Sequence, residues 1–234
     1  MCPVPTLDRE RLAWAERRLL VGVDEAGRGP LAGPVVAAAV VFPPGLDPIA
    51  GVRDSKTLPR ERRETLALAI RAGAIRLGVG AASSREIDRF NIRVATALAM
   101  RRAVGRALGG WGAGELGRLP CTSPAPQLPS SPAPYVVLVD GLPFRELGFP
   151  HEALVDGDAL CYSVAAAGIV AKTVRDRLMR ALAARHPGYG WETNMGYWSA
   201  VHLAALASAG ATRHHRMSFA PMAQGELWSD ATTQ

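Results

Sequence analysis

The sequence predicts a layered α/β domain, in which helices cover a mixed β-sheet. Apolar runs typical of buried strands alternate with segments of helical periodicity along the 234 residues. The first two apolar runs are joined by a short loop rich in glycine, a connection that suits antiparallel neighbours and argues against an all-parallel sheet. A chain of this length forms one large domain, or one domain with a small appendage.

The elements of the first part follow from apolar runs and helix signals. Residues 1–18 are a polar, helix-prone lead-in. Strands are predicted at 19–25 and 34–42, and the residues between them are called the glycine loop below (residues 27–33). A proline at its start supports a helix over 59–71, and small residues form a strand over 74–82.

The middle of the chain begins with a helix start signal. Ser83 and Glu86 fit a capping box, which predicts a short helix followed by a longer one over 92–108. Residues 109–134 hold six prolines with several glycines and serines, and are predicted to be a flexible surface loop with no function of its own.

The last part of the chain supplies the clearest strand. Residues 135–139 are a continuous apolar run, consistent with burial on both faces, and they end on Asp140. A short strand is predicted at 152–155, a long helix at about 160–184, and a final helix over 199–209 that begins with a serine cap.

Composition narrows the class of protein. The net charge of +6 and the pI of about 9.8 are a reason to consider nucleic acid as a partner. The apolar runs are too short to cross a bilayer, and the first 20 residues lack the apolar centre of a signal peptide. The widely spaced cysteines, Cys2, Cys121 and Cys161, indicate neither a disulfide framework nor a zinc site. We therefore expect a cytosolic protein.

Acidic residues follow three of the predicted strands. They are Asp24 with Glu25, then Asp140, and then Asp158. If the fold brings them together, the four carboxylates would raise one another's pKa, and divalent cations would remove that cost. Hard oxygen ligands favour Mg²⁺ or Mn²⁺, and two such ions about 4 Å apart are a known way to hydrolyse phosphate esters. The alternative is that each acid caps a loop or pairs with an arginine.

Three other features are candidates for ligand contact. Gly27, Arg28 and Gly29 could let the backbone approach phosphate or ribose, although a tight hairpin also needs such glycines. An aromatic group could stack on bases or simply pack in the core; it comprises Tyr189, Trp191, Tyr197 and Trp198. The chain has 25 arginines and only two lysines, Lys56 and Lys172, which are either chance survivors or sites that need a compact ammonium.

Several motifs occur in one order along the chain. They are 24–34 (DEAGRGPLAGP), 54–58 (DSKTL), 87–92 (IDRFNI), 139–141 (VDG), 171–177 (AKTVRDR), 186–190 (HPGYG) and 215–219 (HRMSF). In this set the chain resembles the ribonuclease HII family, the bacterial type 2 ribonucleases H. The resemblance covers about residues 19–219, apart from the proline-rich loop, and implies a catalytic domain between the lead-in and a tail at 220–234.

The resemblance implies a ribonuclease H-like fold, with a five-stranded mixed sheet flanked by helices and a helical C-terminal portion. It implies an endoribonuclease that cleaves RNA in RNA–DNA hybrids and 5′ of single ribonucleotides in duplex DNA, leaving 3′-hydroxyl and 5′-phosphate ends. The cofactors would be two Mn²⁺ or Mg²⁺ ions. Their ligands by resemblance are Asp24, Glu25, Asp140 and Asp158, the last of which matches a Gly-Asp step of the family.

The same resemblance gives roles to the other candidates. Gly27, Arg28 and Gly29 match the element that senses the ribose 2′-hydroxyl, and Tyr197 matches a tyrosine that stacks on the next deoxyribose. Lys56 and Lys172 lie within family motifs, which favours phosphate contacts for both. Asp176 is interpreted as a partner of Arg180, one helical turn on.

The chain also departs from the family pattern. Met195 stands where a lysine is frequent, Trp198 and Ser199 replace a Gly-Thr step, and Met217 replaces a second arginine. These changes leave the surroundings of Tyr197 open.

Two other functions remain open at this stage. A protein that binds hybrids without cutting them would differ by binding without turnover, and the sister family, ribonuclease HIII, would cut only runs of ribonucleotides. The expected partner is a hybrid or a ribonucleotide-containing duplex, with no membrane, and the chain is expected to be a monomer. A sliding-clamp contact is left open, because the tail carries no motif that indicates one.

Overall fold

The computed structural model describes residues 4–109, 135–220 and 222–224. It contains a five-stranded sheet in the order β3-β2-β1-β4-β5. The strands are β1 (Leu19–Ala26), β2 (Val35–Val41), β3 (Arg76–Ala82), β4 (Tyr135–Asp140) and β5 (Glu152–Leu154). β1, β2 and β3 form an antiparallel meander, whereas β4 pairs parallel with both β1 and β5. The predicted mixed sheet and its hairpin are therefore confirmed.

Seven helices surround the sheet within the described residues. They are α1 (Asp8–Ala15), α2 (Arg60–Gly73), α3 (Ser84–Leu108), α4 (Gly157–Leu160), α5 (Tyr162–Arg185), α6 (Trp191–Asn194) and α7 (Ala200–Ala209). Short 3₁₀ turns lie at Ser55–Thr57, Arg145–Leu147 and Met222–Gln224. No helix in these described parts is long and apolar enough to cross a membrane.

The two longest helices lie on opposite faces of the sheet. Alternate residues of β2 belong to different clusters: Ala37 and Ala39 pack with α3, while Ala38 and Val40 pack with α5. Strand β2 is buried along its whole length because both of its faces are covered. Gly22 of β1 lets α5 approach closely, since a Cβ at this position would overlap the backbone of Ser163.

The helix predictions are largely confirmed. The capping box of Ser83 and Glu86 is present, and α3 is divided at Asn91, whose φ of 69° interrupts the helix. The Asn91 side chain accepts a hydrogen bond from the Val94 amide and so begins the longer segment. The predicted helix at 160–184 proves to be two, because Cys161 is extended between α4 and α5. Residues 110–134 and most of the predicted tail lie outside the described residues.

The N-terminal segment is attached to the start of α5. Glu10 is buried, and its Oε1 accepts hydrogen bonds from the Ser163 amide at 2.7 Å and from the Cys161 thiol at 3.3 Å. Amides in the first turn of a helix lack partners within the helix, and a carboxylate there also meets the positive end of the helix dipole. Glu10 therefore caps α5, the helix that lies against the site described below. The predicted domain boundary at residue 18 stays a prediction.

Replacing Glu10 with alanine is expected to destabilise the fold by about 1–3 kcal/mol, because a buried amide loses its acceptor and a cavity remains. Glu10→Gln keeps one carbonyl oxygen and is expected to cost less. Urea unfolding of both variants checks this order. Equal stability of wild type and Glu10→Ala would contradict the capping role.

Candidate active site

Three aspartates meet at one edge of the sheet. β1 and β4 are parallel and in register at Val23 and Val139, so the next residue of each strand, Asp24 and Asp140, emerges at the same edge. Asp158 lies in the first turn of α4, just beyond β5. One carboxylate oxygen of each aspartate lies within 4.8 Å of the other two. The fold thus brings together three of the four predicted acids, which are separated by up to 134 residues.

The position of Asp24 depends on a glycine in α5. Its Oδ1 accepts a hydrogen bond from the Glu25 amide at 2.6 Å, and its Oδ2 lies against Gly168. A Cβ at Gly168 would overlap that oxygen, so any larger residue would displace the carboxylate. Sequence reasoning missed Gly168. The available signal was an isolated glycine within an otherwise apolar helix, which often marks close packing.

Asp140 positions the loop that carries Asp158. Its Oδ1 accepts a hydrogen bond from the Gly157 amide at 2.7 Å, directly before Asp158. Leu154 pairs with Asp140 in the sheet, and Asp156 turns the chain with a φ of 56°. The turn brings Asp158 back towards the end of β4, which explains why a Gly-Asp step follows the last strand.

Glu25 is placed differently from the three aspartates. Its Oε1 accepts from the Arg28 guanidinium at 3.2 Å, whereas its Oε2 is buried with no hydrogen-bond partner among the described residues. Burial raises the pKa of Glu25; Arg28 opposes this shift and Asp140 adds to it. Glu25 Oε1 therefore accepts a hydrogen bond from the glycine loop, whereas Oε2 is a buried acceptor without a donor among the described residues.

The cluster holds more negative charge than the protein balances. Burial raises the pKa of Asp24 well above its ordinary value, and the charges of Glu25, Asp140 and Asp158 raise it further. Burial also raises the pKa of Asp158, again with a contribution from Asp140. A converging set of carboxylate oxygens, with a further unpartnered oxygen on Glu25, fits hard divalent cations such as Mg²⁺ or Mn²⁺.

Lys56 lies at the rim of the cluster. Its Nζ is 3.9 Å from Asp158 Oδ2, and most of the side chain is exposed. Burial opposes its charged form, but nearby acids, with Asp54 first and Asp158 next, raise the pKa of Lys56. Asp54 was not singled out from the sequence. It accepts a hydrogen bond from the Lys56 amide at 2.9 Å, a local turn that Asp-Ser sequences commonly form, and so places the lysine.

Asp176 of α5 is buried in an ionic group that joins this helix to α2. Asp176 accepts from Lys172 at 2.8 Å and from Arg63 of α2 at 2.8 Å. The prediction that Asp176 pairs with Arg180 is wrong, since Arg180 instead donates to Glu64 of α2 at 2.9 Å. The reason is tertiary: α2 packs on α5 and offers buried partners that helical spacing alone cannot show. A phosphate contact for Lys172 stays a prediction.

Two buried arginines hold the glycine loop. Arg216 donates to the carbonyl oxygens of Gly27, Arg28 and Gly33 at 2.6–3.0 Å. Burial lowers the pKa of Arg216 to about 9, and the neighbouring charge of Arg175 lowers it further. The sequence analysis included Arg216 in the motif 215–219 but gave it no role, because nothing in the local pattern distinguishes a buried arginine from an exposed one.

Arg175 braces the far end of the same loop. It donates to the carbonyl oxygens of Pro34 at 3.0 Å, Ala32 at 3.2 Å and Met195 at 3.0 Å. It also lies against Gly27, whose φ of 95° already favours glycine and where a Cβ would overlap the guanidinium group. The loop conformation is therefore imposed by carbonyl contacts from two cationic side chains.

The aromatic group divides between core and surface. Tyr189 and Trp191 are buried and stacked with centroids 5.1 Å apart, as the packing alternative requires. Tyr197 and Trp198 are exposed by 46% and 60%. The Tyr197 ring lies beside Gly29, 3.8 Å from where a Cβ of that glycine would stand. Tyr197 and the glycine loop thus form one surface next to the acids.

Carboxylates at the ends of parallel strands in this mixed sheet, beside a loop whose Arg28 and Gly29 are exposed, define a metal-dependent nuclease with the ribonuclease H fold. A family model described as Ribonuclease HII matches residues 21–108 and 148–222. The chain belongs to the ribonuclease HII family. It is accordingly an endoribonuclease that acts on RNA in RNA–DNA hybrids.

Relatives and solved structures agree with this assignment. Ribonuclease HII of Sphingopyxis alaskensis is 51% identical over 89% of this chain and 92% of that protein, and that of Synechococcus sp. is 45% identical over 93% and 89%. The ribonuclease HII of Archaeoglobus fulgidus, solved with PCNA, is 26% identical with a TM-score of 0.63, covering 86% and 95%. Bst ribonuclease HIII with Mn²⁺ shares the fold at a TM-score of 0.66 and 21% identity, covering 94% and 74%.

Proposed function

We propose that this chain incises duplex DNA on the 5′ side of a single embedded ribonucleotide, by two-metal hydrolysis that leaves 3′-hydroxyl and 5′-phosphate ends. The observation that supports this most directly is the link between the acids and the glycine loop. Arg28 donates to Glu25, the residue next to Asp24. A sugar held at the loop would therefore place its neighbouring phosphate beside the acids.

The proposed metal ligands are Asp24, Glu25, Asp140 and Asp158. Bound divalent ions would activate water and stabilise the leaving oxygen of the phosphate ester. The chain's own contribution is orientation: the Glu25 amide and Gly168 position Asp24, and the Gly157 amide positions Asp140. Carboxylates held in this way need little reorganisation when a charged group approaches.

Recognition is assigned to Gly27, Arg28, Gly29 and Tyr197. The 2′-hydroxyl is the chemical group that distinguishes a ribonucleotide from its deoxy neighbours, and backbone groups of the glycine loop are suited to hydrogen-bond it. The exposed ring of Tyr197, beside Gly29, would stack on the next sugar. Lys56 and Lys172 are proposed to contact phosphates, and Lys172 would then share its charge with Asp176.

The test is a DNA duplex with one ribonucleotide, compared with the same duplex lacking the 2′-hydroxyl and with a full RNA–DNA hybrid. With Mg²⁺ or Mn²⁺, we expect a nick 5′ of the ribonucleotide and none in the all-deoxy duplex. Asp140→Asn is expected to lower the rate at least about 10³-fold. Cleavage of the hybrid alone would contradict single-ribonucleotide incision, and binding without turnover would support a non-cleaving hybrid binder.

The archaeal relative solved with PCNA supports a further proposal, that this chain also contacts a sliding clamp. Residues 225–234 lie outside the described part of the chain, so no contact surface is assigned. A DNA substrate also supports the cytoplasmic location predicted from the sequence.

A further inference from the structure

The backbone of Tyr197 is hydrogen-bonded to a buried histidine, His202. His202 lies in the first turn of α7, and its Nδ1 is 2.9 Å from the carbonyl oxygen of Tyr197. The Tyr197 amide donates to Asn194 at 2.9 Å on the other side. The Gly196 carbonyl accepts from the Leu31 amide at 2.8 Å, and the His202 contact is the one side-chain hydrogen bond to the Tyr197 backbone among the described residues.

The hydrogen-bond partners of His202 select one tautomer. Trp191 Nε1 can only donate, and it lies 3.1 Å from His202 Nε2. His202 Nε2 must therefore accept, which places the proton on Nδ1, where it is donated to the Tyr197 carbonyl. Because an indole N–H can only donate, this contact fixes which ring nitrogen of His202 carries the proton.

A second histidine strengthens this assignment. The amide of Thr212 donates to His215 Nδ1 at 2.8 Å, so the proton of His215 is on Nε2. That nitrogen lies 3.1 Å from His202 Nε2, so its proton and the Trp191 indole proton share the one lone pair of that acceptor. The chain of donors thus runs from Thr212 through His215 and His202 to Tyr197, with every ring nitrogen used.

The same C-terminal segment also holds the glycine loop. His215 forms an antiparallel bridge with Ala32, and the Arg216 amide donates to Leu31 at 2.9 Å. The side chain of Arg216 then holds the carbonyls of the loop, as described above. Tyr197 and the glycine loop lie about 170 residues apart in sequence. Hydrogen bonds nevertheless connect both of them to one short segment, residues 212–216.

We propose that His202 is a positioning residue for selectivity: it fixes the distance of Tyr197 from the glycine loop and so determines how well the junction after a ribonucleotide is distinguished. This inference rests on the proposed function, since Tyr197 matters most where one ribonucleotide is followed by DNA. His202 itself is buried and contacts no substrate.

The experiment compares kcat/KM for the single-ribonucleotide duplex and for the RNA–DNA hybrid in wild type, His202→Phe and His202→Asn. We expect His202→Phe to lower the ratio of the two values about tenfold, a size typical of a lost orienting contact. In His202→Asn the amide nitrogen can replace Nδ1, and the ratio is expected to recover. His186→Phe is the matched control, because His186 packs on Trp191 and His214.

A merely structural role is excluded by a double-mutant cycle with Tyr197→Ala. If His202 acts through Tyr197, then His202→Phe changes the ratio by less than about twofold in the Tyr197→Ala background. Equal losses on both substrates, or an undiminished effect without Tyr197, would overturn the inference. If His202→Phe does not fold, His202→Leu, which also lacks a donor, takes its place: a lowered ratio that His202→Asn restores supports the inference, and an unchanged ratio overturns it.

The outcome for the wild type separates the two proposals. Wild-type incision at a single ribonucleotide with unchanged selectivity in His202→Phe would overturn the positioning role alone. Failure of wild type to incise that substrate would overturn the proposed function and this inference together.

Discussion

Asp24→Asn is expected to reduce hydrolysis at least about 10³-fold and, in the absence of metal, to raise the thermal stability of the protein. The first effect follows because one of the three converging carboxylates loses its charge. The second follows because burial and three neighbouring acids raise the pKa of Asp24, so that its ionised form is unfavourable in the folded state. Asparagine has nearly the same shape without the charge.

The stability gain depends on pH in a definite direction. A carboxyl whose folded pKa is raised binds protons more readily when folded, so wild-type stability improves as the pH falls through that raised pKa towards the ordinary pKa of an aspartate. The advantage of Asp24→Asn is therefore expected to be largest near pH 8 and to shrink on acidification. Divalent metal should reverse the order, because Mg²⁺ or Mn²⁺ stabilises only a protein that binds it.

Thermal unfolding with and without EDTA checks these effects, alongside the hybrid cleavage assay. Asp47→Asn is the matched control, since Asp47 is exposed and outside the cluster. A lower melting temperature for metal-free Asp24→Asn at pH 8 would show that the charge of Asp24 is balanced by something other than metal.

Arg216→Met is expected to destabilise the fold by about 3 kcal/mol or more and to abolish incision at single ribonucleotides. Methionine fills much of the space, but it leaves the carbonyl oxygens of Gly27, Arg28 and Gly33 without their donor. Each unsatisfied buried polar group costs roughly 1–3 kcal/mol. The glycine loop would change conformation so that these carbonyl oxygens find other donors, and its backbone would no longer lie beside Tyr197.

Urea unfolding and the two-substrate assay measure both effects. Arg213→Met is the control, because Arg213 is exposed in the same basic segment. Arg216→Lys keeps a charge but cannot reach three carbonyls with the planar geometry of guanidinium, and should fall between the two. Unchanged selectivity in a folded Arg216→Met protein would show that the loop holds its conformation unaided.

Local pattern predicted most of the elements for a physical reason. Apolar runs such as 135–139 and cap signals such as Ser83 with Glu86 act over a few residues, and the structure confirms both. The antiparallel hairpin of β1 and β2 also followed from the short loop between them. Resemblance to the family, rather than spacing, supplied the roles of the acids as metal ligands.

The misses share a cause. Arg175 and Arg216 look like any of the other arginines until the glycine loop folds over them. Gly168 matters because Asp24 lies against it, across the interface between β1 and α5. Asp176 has its true partner, Arg63, on another helix. In each case the decisive neighbour is distant in sequence, so a local pattern can at most mark the position, as the isolated Gly168 does, and cannot identify that neighbour.

The sequence by itself determined where strands end and that acids stand at those ends, because side-chain periodicity and backbone preference are local properties. Tertiary structure alone decided that Asp24, Asp140 and Asp158 converge and that Glu25 turns one oxygen to Arg28. It also decided that one C-terminal segment holds both Tyr197 and the glycine loop. Such contacts form only when parallel strands and packed helices close the distance between remote parts of the chain.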